Sequence, residues 1–178
     1  KSASRQLAHL QTETKNAALK AMAEAIESNC SAILEANRKD LDYAKKEQIA
    51  GPLISRLALD ESKVRDMAKG ILSVANLPDP VGQLQSVMEM DKDLMLYRVT
   101  CPIGVIGAIF ESRPDAVPQI SSLCLKSGNA VILKGGTEAQ HSNKILVSLL
   151  ATAAGQVSGV PRAAIQMIET RAEVAEML

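Results

Sequence analysis

The sequence predicts an α/β fold, a three-layer Rossmann-like parallel sheet joined through a β-hairpin to a helical N-terminal segment. Three observations point there. Residues 1–80 carry helical periodicity without a run of β-branched residues. Residues 81–101 change to a period of two. From Pro102 onward, short apolar runs alternate with amphipathic stretches in the order strand, helix, strand, helix, strand. Two consecutive βαβ units of this kind are parallel and right-handed. With 178 residues, 47% of them hydrophobic and 22% charged, the chain buries a core without needing disulfides or a structural metal.

Each element has its own signal. Thr12 can cap a helix in which Ala18, Met22, Ala25 and Ile26 recur on one face and which ends near Cys30. Ser31 can cap a second, with Leu34, Leu41 and Ala44 on one side and Gly51-Pro52 as its stop. Asp60 caps a third that runs to Asn76, placing Val64, Met67, Ala68, Ile71 and Leu72 together. Pro78 and Pro80 close the helical part. In the hairpin, Met95, Tyr97, Val99 and Cys101 alternate with Leu94, Leu96, Arg98 and Thr100, after an Asp91-Lys92-Asp93 turn. Residues 103–110 form a nearly continuous apolar run, which predicts a strand buried on both faces. Ser112 as cap, Pro114 in the first turn and Gly128-Asn129 as stop frame the next helix. Residues 130–133 and 164–168 read as strands, residues 141–155 as a helix between them, and residues 171–178 as a further helix signal. The domains expected are a helical segment (1–80), a hairpin (81–101) and a βαβ nucleotide-binding portion (102–178).

Composition excludes several functions. Twenty basic against 20 acidic residues leave no basic footprint, and Tyr43, Tyr97 and Phe110 are too few for base stacking, so nucleic acid is not an expected partner. No apolar run approaches the ~20 residues that span a bilayer, and no signal core is present, which predicts a cytoplasmic protein without a membrane partner. Cys30, Cys101 and Cys124 are too scattered for a disulfide framework or a zinc site, and no metal site is expected.

Ligands of open parallel sheets bind beyond the carboxyl ends of the strands. Two loops lie there. Lys134-Gly135-Gly136-Thr137-Glu138 sets an ammonium beside two glycines, where a ribose or phosphate could approach the backbone; a snorkelling lysine before a glycine turn is the alternative. Residues 110–115 carry Arg113, which could hold a carboxylate or phosphate bidentately or simply pair with Glu111 or Asp115. Neither the G-x-G-x-x-G fingerprint nor the P-loop string occurs. His9 and His141 lack acidic neighbours at useful spacing and read as solvated, while Cys124 falls on an apolar helix face.

The strings P-I-G-V-I-G-A-I-F-E-S-R-P-D-A, S-G-N-A-V-I-L-K-G-G-T-E-A and G-V-P-R-A-A-I-Q-M-I resemble the cofactor domain of the aldehyde dehydrogenase superfamily. Within it, F-E-S-R-P-D with L-K-G-G-x-E-A resembles the gamma-glutamyl phosphate reductase (glutamate-5-semialdehyde dehydrogenase) family, and the helical start is similar to the same family. The resemblance implies NADPH-dependent reduction of L-glutamyl 5-phosphate to L-glutamate 5-semialdehyde in proline biosynthesis. It implies a nucleophilic cysteine in a second domain, so no catalytic residue is expected in this chain, which reads as an N-terminal portion. Lys134, with Gly135, Gly136 and Thr137, takes the cofactor-binding role. Thr137 stands where many NAD-preferring relatives have an acidic residue, with Glu138 one step later, which favours NADP. The usual oxyanion-hole asparagine has no clean counterpart. Ser112 and Arg113 are the substrate-binding candidates, and the hairpin is the expected contact of a homo-oligomer. The rival expectations are a non-catalytic nucleotide-binding or assembly module and a different acyl-phosphate or aldehyde dehydrogenase.

Overall fold

A computed structural model describes residues 1–177, so Leu178, the end of the last expected helix, lies outside the described residues. The N-terminal part is helical throughout: α1 (Ser2–Leu7), α2 (Thr12–Ser28), α3 (Cys30–Lys46), α4 (Gly51–Leu57) and α5 (Glu61–Ala75). The stripe Ala18, Leu19, Met22, Ala23 and Ile26 of α2 is fully buried and packs with Val64, Met67, Ala68 and Ile71 of α5 in one core. Asp60 caps α5 as its spacing predicts, Oδ1 accepting from the Lys63 amide at 2.8 Å.

Three expected boundaries of the helical part differ. Thr12 is the first helical residue of α2 and no cap, because its hydroxyl donates to Asp79 Oδ2 at 2.9 Å instead. Ser31 is no cap either: α3 starts one residue earlier, after Asn29, whose Nδ2 donates back to Ala25 O at 2.8 Å. Gly51-Pro52 opens α4 rather than stopping α3, which ends at Lys46. Proline at the start of a helix loses nothing, since the first amides have no intrahelical partner anyway.

β1 (Leu84–Asp91) and β2 (Leu94–Val99) form the expected antiparallel hairpin around Lys92 and Asp93, the latter at φ 62°. Every residue of both strands is exposed. The second sheet comprises β3 (Val105–Ile109), β4 (Ala130–Lys134) and β5 (Ile165–Met167), all parallel, with β4 central. Between them run α6 (Ala116–Lys126) and α7 (Gln140–Gln156), and α8 (Arg171–Met177) follows β5. Single 3-10 turns stand at Thr137–Ala139 and Arg162–Ala164.

Ile106, Ala108, Val131, Leu133, Ile165 and Met167 share the sheet face that joins the main core. Helices α6 and α7 pack on the sheet, and α2, α3 and α5 pack behind them. The expectation of burial on both faces fails for β3. It is an edge strand with one face open, leaving Val105 37% and Ile109 64% exposed. An unbroken apolar run cannot separate an edge strand from a central one, because apolar side chains on an open face look the same in sequence.

Ser112 does not cap α6. The chain turns at Arg113, whose amide donates to Glu111 O at 2.6 Å, so α6 begins later, behind Asp115. Its end matches the expectation: Gly128 at φ 72° donates to Leu125 O (3.1 Å) and Asn129 N donates to Cys124 O (2.8 Å), a Schellman closure.

Two buried polar groups hold distant segments. Asp40 of α3, 1% exposed, accepts from the amides of His141 (2.9 Å) and Ser142 (2.7 Å), capping α7 from another helix. His141 Nδ1 lies 2.8 Å from the same carboxylate, so this histidine is partnered rather than merely solvated. Asp79 accepts from Lys15 Nζ, itself 1% exposed, at 2.9 and 3.1 Å and from the Val81 amide at 2.9 Å. Burial pushes its carboxyl up, but the Lys15, Val81 and Thr12 hydrogen bonds and the Lys15 charge outweigh that and hold it below the ordinary 3.8. This cluster ties the residues leading into the hairpin to α2.

Candidate functional site

The loops after β3 and β4 meet at the carboxyl ends of the strands, where the sequence places the candidate residues. They line a cavity of about 980 Å³ together with Ile49 and Leu53 beside the start of α4 and Glu169, Thr170 and Val174 around the start of α8. Lys134 is half-buried in its wall and donates from Nζ to Gly135 O at 2.9 Å, which holds the ammonium against the loop. Thr137 is exposed at the rim.

Neither Gly135 nor Gly136 is needed for a left-handed backbone. Gly135 is needed for space, since a Cβ there would collide with the Nδ2 of buried Asn143, whereas one on Gly136 would meet only the far end of the Glu138 side chain. Side chains of the protein itself therefore press against this loop from behind and across. Asn143 is 1% exposed, and among the described residues neither its Oδ1 nor its Nδ2 has a hydrogen-bond partner.

Ser112, 3% exposed, donates to the Glu138 carboxylate and so ties the two loops together. Glu138 thus bends over Gly136 toward the first loop. Of the other carboxylates lining the cavity, Glu169 accepts from Gln140 Nε2 at 2.9 Å and pairs with Lys144 at 3.4 Å. Thr170 and Glu173 form a capping box at the start of α8: Glu173 Oε2 accepts from the Thr170 amide (2.8 Å) and hydroxyl (2.7 Å), while Glu173 N donates to Thr170 Oγ1 at 3.2 Å. Those bonds, the Thr170 hydroxyl foremost, hold the Glu173 carboxyl below its ordinary value of 4.5.

Arg113 is elsewhere. It lines a second cleft of about 490 Å³ between α5 and α6, with Arg56, Lys63, Asp66 and Asp115 among its walls and Met67, Ile71, Val74 and Leu123 as apolar surface. Ser112 and Arg113, adjacent in sequence and grouped as substrate candidates, are divided between two cavities. Nor does Arg113 pair with Glu111 or Asp115; among the described residues it forms no ion pair.

Several site residues escape sequence reasoning. Ile49, Leu53 and Val174 are single apolar residues from remote segments, and nothing local marks them. Thr170-x-x-Glu173 is a capping-box spacing and was readable. Of the cysteines, Cys124 is buried and its thiol is pushed up to about 11 by burial, and neither Cys30 nor Cys101 lines either cavity. Among the described residues no His/Cys/Asp/Glu group could hold a metal ion, and no helix is long and apolar enough to cross a membrane.

No protein-family model matches the chain. Curated relatives do. The chain is 50% identical over its whole length to a gamma-glutamyl phosphate reductase of Methanosarcina barkeri, and it covers 41% of that protein. It spans about two fifths of the length of the curated relatives it matches. Its fold superimposes on the crystal structure of the Thermotoga maritima gamma-glutamyl phosphate reductase with a TM-score of 0.93 at 37% identity, covering 99% of this chain and 43% of that one. A probable aldehyde dehydrogenase from Listeria monocytogenes, 15% identical, shares the fold with a TM-score of 0.73 over 99% of this chain and 36% of its own. The fold is therefore of the aldehyde dehydrogenase type, and over its whole length the chain is similar in sequence and structure to about two fifths of the length of gamma-glutamyl phosphate reductases.

Proposed function

We propose that the chain is the cofactor-binding portion of an NADPH-dependent enzyme that reduces L-glutamyl 5-phosphate to L-glutamate 5-semialdehyde with release of phosphate, a step of proline biosynthesis. The observation that carries this reading is the cavity at the carboxyl end of the parallel sheet, walled by Lys134, Gly135, Gly136 and Thr137. Its volume of about 980 Å³ accommodates a dinucleotide. When bound, the cofactor supplies the hydride. Lys134 offers a charge-assisted hydrogen bond to a ribose hydroxyl or phosphate. Thr137 stands where a carboxylate would repel a 2′-phosphate, and the Glu138 carboxylate is turned toward Ser112, which favours NADP over NAD. Arg113, which forms no ion pair among the described residues, serves the substrate.

The enzyme is proposed to work in the cytoplasm as a homo-oligomer whose subunits meet through the hairpin, and its nucleophilic cysteine belongs to a second domain, as the family resemblance implies. The test is phosphate-dependent oxidation of glutamate semialdehyde by the full-length protein, followed at the nicotinamide absorbance. Turnover with NADP, lost without phosphate, is expected; no turnover with either NADP or NAD contradicts the reading.

A further inference from the structure

Residues 110–115 and α4 contribute side chains to both cavities: Ser112 and Leu53 to the first, Arg113 and Arg56 to the second. A ligand in the α5/α6 cleft therefore adjoins one in the cofactor cavity across that loop. Hydride transfer demands such adjacency, since reacting carbons must come within about 3.5 Å.

The cleft is polarised. Lys126 Nζ at the end of α6 donates to Ala75 O at the end of α5 (2.9 Å), so the C-terminal ends of the two helices meet and their N-terminal ends gather the charged residues beside the loop. Of these, Lys63 Nζ donates to Ala58 O (2.5 Å) and Asp66 pairs with Lys69 (3.4 Å). Arg113 and Asp115 remain, together with Arg56 of α4, and none of the three forms an ion pair among the described residues. Asp115 occupies the N-cap of α6, yet its side chain caps nothing and accepts only a long bond, 3.4 Å, from Gln119 Nε2. An aspartate is among the best residues for that position, so a cleft-lining carboxylate held only by that long bond to its own helix is available to a ligand. Two residues apart, a guanidinium and a carboxylate that form no ion pair among the described residues match a ligand that carries an anion and a cation on one carbon.

We infer that the α5/α6 cleft reads the α-amino-acid end of the acyl substrate, with Arg113 holding the α-carboxylate and Asp115 the α-ammonium. This rests on the reaction proposed above and settles on the carboxylate rather than the phosphate as the partner of Arg113. Arg56 adds positive field, and the apolar surface of Met67, Ile71 and Leu123 takes the methylene chain.

The test compares glutamate semialdehyde with 5-oxopentanoate, which lacks only the amino group, on the full-length protein. Asp115→Asn should raise KM for glutamate semialdehyde at least tenfold and leave KM for 5-oxopentanoate unchanged; Arg113→Lys should raise both. Equal changes with both aldehydes, or none, for Asp115→Asn overturn the inference. Calorimetric titration with L-glutamate and with glutarate separates this from failure of the reaction itself. If the unsubstituted protein turns over neither aldehyde, a preference for L-glutamate that Asp115→Asn abolishes upholds the site and rejects only the reaction, whereas equal binding or none rejects the site as well.

Discussion

Asp40 shows how much a single buried carboxylate can organise. Its two oxygens satisfy amides of His141 and Ser142 at the start of α7, the helix that follows the Lys134 loop. Asp40→Ala leaves those amides unpaired and should cost about 2–3 kcal/mol, read as a lower urea midpoint. Nothing in the sequence connects Asp40 with residues about a hundred positions away, which is why His141 reads as solvated. Asp79 gives a pH effect of definite sign. Because its carboxyl is held below 3.8 in the folded protein, its stabilisation is complete above that value and is lost as pH falls through the lower folded value. The melting temperature of Asp79→Asn should thus lie below that of the unsubstituted protein near neutrality, with the gap closing as the pH is taken well below 3.8. A gap that persists or widens in acid would contradict this. Lys134 and Arg113 were legible as candidates because cations beside a glycine pair or a helix start are uncommon strings. That Ser112 and Arg113 face different cavities was not legible, since one peptide step decides it.

At the scale of elements, glycine and proline mark boundaries faithfully but do not say which side of the boundary the helix lies on. Gly128-Asn129 closes α6 as expected, whereas Gly51-Pro52 opens a helix where a stop was expected. Gly128 is at φ 72°, and a Cβ there would stand 2.9 Å from Pro102 Cγ, so Gly128→Ala should cost about 1–2 kcal/mol in backbone strain alone. Thermal melting checks it. The Lys134 loop tests a different cause. A Cβ on Gly135 collides with buried Asn143 and approaches Phe110 Cε2 to 3.2 Å, so Gly135→Ala should cost about 1–3 kcal/mol by overpacking and weaken cofactor binding as the loop is displaced. The strand, helix, strand order was legible from apolar runs between turn residues. The open face of β3 was not, because exposure depends on what packs there and not on the strand's own residues.

For the whole molecule, the hairpin is the most exposed apolar element among the described residues. Leu84, Met88, Met90, Leu94, Leu96 and Tyr97 are each more than half exposed, and a two-stranded hairpin is at best marginally stable alone in water. If it forms the proposed subunit contact, Leu96→Lys with Tyr97→Ser should shift the full-length protein to a smaller species in sedimentation, with its melting curve otherwise preserved. The 178-residue chain alone is expected to show no reductase activity, since Cys124 is buried with a raised thiol and Cys30 and Cys101 line neither cavity. Turnover by the chain that vanishes on Cys101→Ser would reverse that assignment. The central claim is that the cavity behind Lys134 holds the nicotinamide cofactor. Its most direct test is calorimetric titration of NADPH into the full-length protein and its Lys134→Ala variant. Loss of a charge-assisted contact of about 1.5–3 kcal/mol predicts binding weakened roughly tenfold or more. Equal affinity in the two proteins, or no binding by the unsubstituted one, would contradict it.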